Sequence, residues 1–262
     1  MTFKKIAGFI ICLFLCLQSS LLMAEQAGFR GKVLKFNGDV EIINAKGEKR
    51  QVQKIDEALN ENDTIVTGKE ARIVMQFDDG ALSVLDEKSR LRVEKTSWFS
   101  YLGGKVYFTF KKVFGDPRRV RTRAATIGVR GTTFIISENK NQDGESLALK
   151  EGLLDIESTG PAFEIHRKKV MDEFAQFKQQ MQQEKQQTRD EFEQYKQQTQ
   201  QEFIEYRKNF TLQANRVINL SGYRVDETAM TKQNEADFID FESEAEDLIK
   251  NFRARSKGLI AN

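Results

Sequence analysis

From Gly31 to about Ser158 turn signals cut the chain into short runs, and that segmentation constrains the fold more than any other feature. Asn37-Gly38, Asn62-Asp63, Asp79-Gly80, Gly103-Gly104 and Asp143-Gly144 separate stretches rich in valine, isoleucine, phenylalanine and threonine. KVLKF, DVEII, TIVTG, ARIVMQF, ALSVL, RLRVE, KVYFTF, GTTFIIS and SLALKEGLLDIES each read as β-strand. In RLRVEK, Leu91 and Val93 alternate with Arg90, Arg92 and Glu94, one set facing a core and the other facing water. Short strands at such spacing predict a barrel, a sandwich or a roll.

Beyond Pro161 the pattern changes. No proline or glycine occurs from Phe163 to Asn219, and glutamine, glutamate and lysine dominate. DEFAQFKQQMQ at 172, DEFEQYKQQTQ at 190 and QEFIEYRKNFT at 201 repeat with offsets of eighteen and eleven residues. Those offsets are about five and three helical turns, so each returns a side chain to one face. The reading is a long amphipathic helix with an aromatic stripe of Phe174, Phe177, Phe192, Tyr195, Phe203 and Tyr206, continued by Met181 and Phe210. Ser221-Gly222 ends it, and a second helix is expected from about Glu235 to Arg255, with Phe238, Phe241, Ala245, Leu248 and Phe252 on one side. Its acidic start and basic end suit the helix dipole. The stripes predict coiled-coil association, either as an antiparallel hairpin or between copies of the chain. A helix lying on a membrane is the weaker alternative, because acidic and basic residues mix on the polar face.

The first residues read as an export signal. Lys4 and Lys5 precede a twelve-residue apolar run, Ile6 to Leu17, and Ala24 offers a cleavage point. An uncleaved anchor is the alternative, and Leu15 before Cys16 argues against lipid attachment. The expected location is the periplasm. Both cysteines, Cys12 and Cys16, fall in this segment, and the chain has one histidine, His166. That removes disulfides, thiolate nucleophiles and most zinc or iron sites from the portion beyond Ala24. No metal and no cofactor are expected. Forty-one basic against thirty-nine acidic residues give no global field for nucleic acid.

VRTRAATIGVRGTTFIIS, residues 120–137, carries three arginines and two glycines. It lacks phosphate-loop spacing, and strand-type residues follow the second glycine where a helix N-terminus would be needed. RRVRTR reads as a charged strand edge. With GDVEI, NENDTIVTGKEARIVMQFDDGALSVLDEKSRLRV and GKVYFTF, this stretch closely resembles the FecR domain over roughly residues 31–158. The resemblance rests on Gly38, Asp39, Thr67, Gly68, Asp79, Gly80, Arg130, Gly131, Thr132 and Phe134, with Asp63, Ala71, Phe77, Ser89 and Leu91 beside them. Thr122-Arg123 departs from the family, in which a proline commonly follows the threonine. The resemblance implies a compact β-solenoid or roll that binds other proteins and has no known catalytic centre, and the motif residues are expected to be structural. Arg130 is expected to reach Asp79 or Asp86.

The resulting organisation is a signal peptide over 1–24, a FecR-like β-domain over 25–160, a long helix over 161–220 and a second helix with a tail over 221–262. Only five residues precede the apolar segment, too few for the sigma-factor-holding domain of the iron-siderophore regulators that this module resembles. The expected function is non-enzymatic: a signalling or scaffolding module that contacts envelope proteins. Homo-oligomerisation through the helices is expected, with no nucleic-acid partner and no requirement for a membrane. Two alternatives stand beside it. Trp98, Phe99 and Tyr101, read as a loop-borne cluster, would stack on glycan or dip into lipid. Asp78-Asp79 would serve a cell-wall hydrolase, although neighbours in a strand face opposite ways and Asp-Asp-Gly suits a hairpin.

Overall fold

The computed structural model describes residues 29–78, 80–94, 98–110, 118–139, 144–167 and 203–245. The signal segment expected over 1–24 lies outside them. Eleven described strands form one sheet: β1 (Phe29–Asn37), β4 (Ala58–Asn60), β6 (Arg72–Phe77), β7 (Leu82–Leu85), β10 (Lys105–Thr109), β13 (Thr133–Asn139), β14 (Gly144–Glu151), β16 (Phe163–Arg167), β17 (Phe203–Arg207), β19 (Arg216–Ser221) and β20 (Arg224–Ala229). Their spatial order is β4-β1-β6-β7-β10-β13-β14-β19-β20-β16-β17. Nine more form a second sheet: β2 (Val40–Ile43), β3 (Lys49–Gln51), β5 (Thr64–Thr67), β8 (Arg90–Val93), β9 (Trp98–Gly103), β11 (Arg118–Arg121), β12 (Ala125–Val129), β15 (Leu153–Ser158) and β18 (Asn209–Gln213). They are ordered β3-β2-β5-β8-β9-β11-β12-β15-β18.

The chain threads both sheets at once, crossing between them after every one or two strands. Alternation fixes which side chains go inside. On β8, Leu91 and Val93 are buried while Arg90 and Arg92 are exposed; on β15, Leu154 and Ile156 point in while Leu153, Asp155 and Glu157 point out. The inner faces form one core in which Phe99 meets Phe77 at 4.7 Å and Phe108 at 5.8 Å, and Phe108 stacks on Phe134 at 5.3 Å. Further along, Phe163 meets Phe210 edge-on at 5.5 Å. Such ring pairs add specificity to the apolar area they remove from water. The architecture is therefore a β-sandwich. It corrects the expected solenoid, which needs parallel rungs: among the described ladders only β9–β11 and β16–β20 are parallel.

Over its described residues, 161–167 and 203–220, the expected long helix is also corrected, together with the coiled coil built on it. Residues 163–167, 203–207, 209–213 and 216–221 are strands, and the sheets run on past residue 160: β14 pairs with β19 and β15 with β18. On β18 the period is two, Phe210 and Leu212 buried between exposed or half-exposed neighbours. On β19, Ile218 and Leu220 enter the inner core while Val217 faces the outer side. A strand buried on both faces loses its alternation, which is why it passes for part of a helix. Asn215 (φ 61°) and Gly222 (φ 57°) bracket β19 and turn the chain at each end.

One helix occurs among the described residues, α1 (Lys232–Glu244). It starts three residues before the expected Glu235, at a capping box: Asn234 N–H donates to the Thr231 hydroxyl, and Thr231 N–H donates to Asn234 Oδ1 at 3.0 Å. Phe238, Phe241 and Ala245 are buried as the spacing predicts, but against the outer face of the larger sheet and not another helix. They cover Val74, Leu82, Val84, Tyr107, Ile135, Ala148 and Val217. Cations on four strands tie down its acidic flank: Lys35 to Glu244 (2.6 Å), Arg72 to Asp240 (2.8 Å), Lys105 to Asp237 (3.1 Å) and Lys150 to Glu242 (2.7 Å). Leu248 and Phe252 lie outside the described residues.

Candidate functional site

The family-type residues sit at the corners where the chain changes sheets. Gly38 ends β1 at φ 68°, and a Cβ there would lie 2.8 Å from the Cα of Ala71. Gly68 N–H donates to the carbonyl of Asp39 (2.8 Å), and Lys88 N–H donates to the carbonyl of Gly68 (3.0 Å). Thr67 is buried, and its hydroxyl donates to the Asp86 carbonyl (2.5 Å) while accepting from Ser89 N–H (2.9 Å). The Ser89 hydroxyl carries the line onward, accepting from Lys105 N–H at 2.9 Å, and Glu138 N–H donates to the Gly104 carbonyl at 3.0 Å. These bonds bolt successive crossings together at one end of the sandwich. Gly80 makes a different turn, the β6–β7 hairpin, with its N–H on the Phe77 carbonyl. Asp79 lies outside the described residues.

Val129-Arg130-Gly131-Thr132-x-Phe134 is another crossing, from β12 to β13. Gly131 turns at φ 63°, Thr132 is buried with its carbonyl accepting from Phe110 N–H (2.9 Å), and Phe134 joins the aromatic core. Gly152 must stay small here, since a Cβ would lie 2.6 Å from the Gly131 carbonyl oxygen and the Thr132 methyl. Arg130 is exposed. The expected pairing with Asp86 is corrected: Arg72 holds that carboxylate through Nη2 (2.8 Å) and Nε (3.2 Å).

The arginine run alternates about the sheet. Arg118 turns inward over Phe110, 5.6 Å from the ring centre, whereas Arg119 and Arg121 point outward and lie 5.0 and 5.3 Å from the centre of Trp98. The aromatic cluster expected on a loop lies instead on β9, with Phe99 and Tyr101 buried in the core and Trp98 half-exposed on the outer face. The single histidine, His166, is buried on β16 with Nε2 2.7 Å from Glu164 Oε1. Of the stripe residues, Tyr206 is exposed on β17, Phe203 begins that strand, and Phe174, Phe177, Phe192 and Tyr195 lie outside the described residues.

A cleft of about 670 Å³ opens beside the bolted corners, where Arg90, Tyr101, Arg123, Glu138 and Glu145 converge. A second, of about 430 Å³, shares Arg123, Gly144 and Glu145 and extends to Tyr223. Glu145 is 4 % exposed. Its Oε1 accepts from the backbone N–H of Arg123 (3.4 Å), and the Arg123 Nε is 3.8 Å away on a side chain that is 70 % exposed. Among the described residues its Oε2 has no hydrogen-bond partner. Glu138 stands directly opposite Glu145 across the β13–β14 ladder. The Tyr101 hydroxyl donates to the Gly104 carbonyl (2.7 Å), and burial, with Glu138 and Glu145 nearby, pushes this phenol far above its ordinary value. Sequence reasoning passed over Glu145 because its run reads as plain strand; the available signal was a pair of acids flanking the Asp143-Gly144 turn.

Among the described residues no set of three or more histidine, cysteine or acidic side chains is grouped to hold a metal, and no helix is long and apolar enough to cross a membrane. Residues 63–154 match the model of the FecR protein family. No curated protein matches the chain. Among solved structures, a candidate anti-sigma factor from Parabacteroides distasonis ATCC 8503 aligns at 14 % identity over 67 % of this chain and 64 % of its own, with a TM-score of 0.44. The chain thus spans under two thirds of that protein's length. A cell surface anchoring domain aligns at 27 % identity over 27 % of this chain and 88 % of its own, with a TM-score of 0.24.

Proposed function

We propose that this protein is a non-enzymatic regulatory module that works by binding another protein in the bacterial cell envelope. The observation that carries the reading is the FecR match over residues 63–154, whose recurrent glycine, threonine and serine positions serve as corner bolts. Residues spent on geometry leave the outward faces to vary with the partner. The export signal read in residues 1–24 supplies the location, and amino-terminal sequencing of the purified protein is expected to begin at Glu25. The test is site-specific photo-cross-linking of the full-length chain in cells, with the probe at Arg119, Thr126 or Leu153 on the outer face of the second sheet. A discrete adduct with one envelope protein is expected. Absence of any adduct, or peptidoglycan turnover that Asp78→Asn abolishes without unfolding the chain, overturns the reading.

A second reading, contact with an anionic glycan or lipid surface, is favoured by one feature. Trp98 shares its outer face with Arg90, Arg92, Arg119 and Arg121, and strand pairing sets Arg92, Ser100 and Arg121 in line across β8, β9 and β11. Quenching of the single tryptophan by anionic vesicles or glycan fragments, lost in Arg119→Ala/Arg121→Ala, supports this reading; unchanged fluorescence removes it.

A further inference from the structure

We infer that the cleft at Glu145 is a binding site for one cationic side chain, the ammonium or guanidinium of a lysine or arginine on a partner protein. The inference rests on the proposed protein-binding role and names the chemistry recognised. Three observations converge. Glu145 lines the cleft and is buried, yet among the described residues its Oε2 has no hydrogen-bond partner. A buried carboxylate oxygen left unpaired carries a desolvation cost that a donor entering the cleft would relieve. Secondly, Glu138 faces Glu145 as a cross-strand pair. Like charges directly opposite repel, and a cation between them turns that repulsion into attraction. Thirdly, the cation paired with it among the described residues is poorly placed: the Arg123 Nε lies 3.8 Å from Oε1 on a largely exposed side chain, beyond ordinary hydrogen-bond range.

The site is built as well as charged. Gly103 passes so close to Glu138 that a Cβ there would lie 2.5 Å from Oε1, and its φ of 143° also disfavours a side chain. The buried Tyr101 hydroxyl is committed to the Gly104 carbonyl, fixing the ring as a wall. Arg90 also lines the cleft, where it suits a backbone carbonyl or an acid flanking the incoming cation. A hard divalent ion, which takes six or more oxygen ligands, fits poorly beside two guanidinium groups.

The test uses the full-length protein and three capped pentapeptides, GGKGG, GGRGG and GGEGG, followed through backbone amide shifts in NMR titrations. Saturable shifts at Arg123, Gly144 and Glu145 are expected with the lysine and arginine peptides and not with the glutamate one. Glu145→Gln is expected to weaken binding by about tenfold or more, the scale of a lost charge-assisted hydrogen bond. Arg123→Ala, which leaves the carboxylates and removes their competitor, is expected to tighten it, so the test does not depend on one variant staying folded. No saturable shift with either cationic peptide, shifts unchanged in a folded Glu145→Gln, or shifts produced by calcium chloride instead of the peptides would each overturn the inference. If a cross-linked partner is found while the cleft ignores these peptides, the site fails and the protein-binding role stands.

Discussion

Two glycines with the same backbone sign separate strain from collision. Gly104 has φ 86°, and a Cβ there would lie 2.3 Å from the Cα of Ser89, backbone that cannot swing aside. Gly47 has φ 81° but nothing within 4 Å of the same position. Gly47→Ala is therefore expected to cost only the left-handed penalty, about 1–2 kcal/mol, whereas Gly104→Ala adds displacement of the Ser89 corner and exceeds about 3 kcal/mol. Urea unfolding of both variants measures the difference, and equal losses would show that the corner yields. Asp63 gives a pH test. Burial raises its carboxyl above the ordinary 3.8, against the opposing pull of Asn60 N–H (2.9 Å) and Arg50 (3.4 Å). A raised acid favours the folded state while protonated, a contribution present below pH 3.8 and lost as pH rises through the folded value. Asp63→Asn, which keeps an acceptor for Asn60, is expected to melt higher than the parent at pH 7 and level with it at about pH 3. A parent more stable than the variant at pH 7 would mean that the Arg50 pairing outweighs burial.

At the scale of elements, α1 shows where sequence periodicity suffices and where it stops. Phe238 and Phe241 at three-residue spacing, after an acidic start, made the helix legible. What it packs against was not, because the apolar outer face of the larger sheet is assembled from β6, β7, β10, β13, β14 and β19. The misreading of residues 216–221 has the same root: with α1 outside and the core inside, β19 is apolar on both sides and shows no period of two. The corner residues were legible because a left-handed turn or close approach narrows the choice at one position. The cleft was not, since Glu138 and Glu145 gain meaning only from the β13–β14 register. Phe241 stacks on Tyr107 at 5.8 Å, and the Arg72 guanidinium carbon lies 5.1 Å from its ring centre. Phe241→Ala is expected to cost about 3–5 kcal/mol and to raise binding of a hydrophobic dye by uncovering the sheet. Loss of stability without dye binding would show that the helix stays seated.

At the scale of the molecule, the matched span is not a unit that stands alone. It ends at Leu154, inside β15, while the strands that complete both sheets come from beyond residue 200. A chain stopped at residue 160 keeps β14 and β15 but leaves each with an unpaired edge. The strand β14 loses Val217, Ile218 and Leu220 of β19, and β15 loses Phe210 and Leu212 of β18. Leu147, Leu149, Leu154 and Ile156, all buried in the full chain, would then border water. The same cut removes α1 and with it the cover over Tyr107 and Val84. Residues 25–160 alone are therefore expected to show no cooperative unfolding transition, to bind hydrophobic dye and to self-associate through the open edges, whereas residues 25–262 melt in one step. A sharp two-state melt of the shorter chain would mean that the first fourteen strands and β15 close their own core, and that the later strands are an addition to a module already complete.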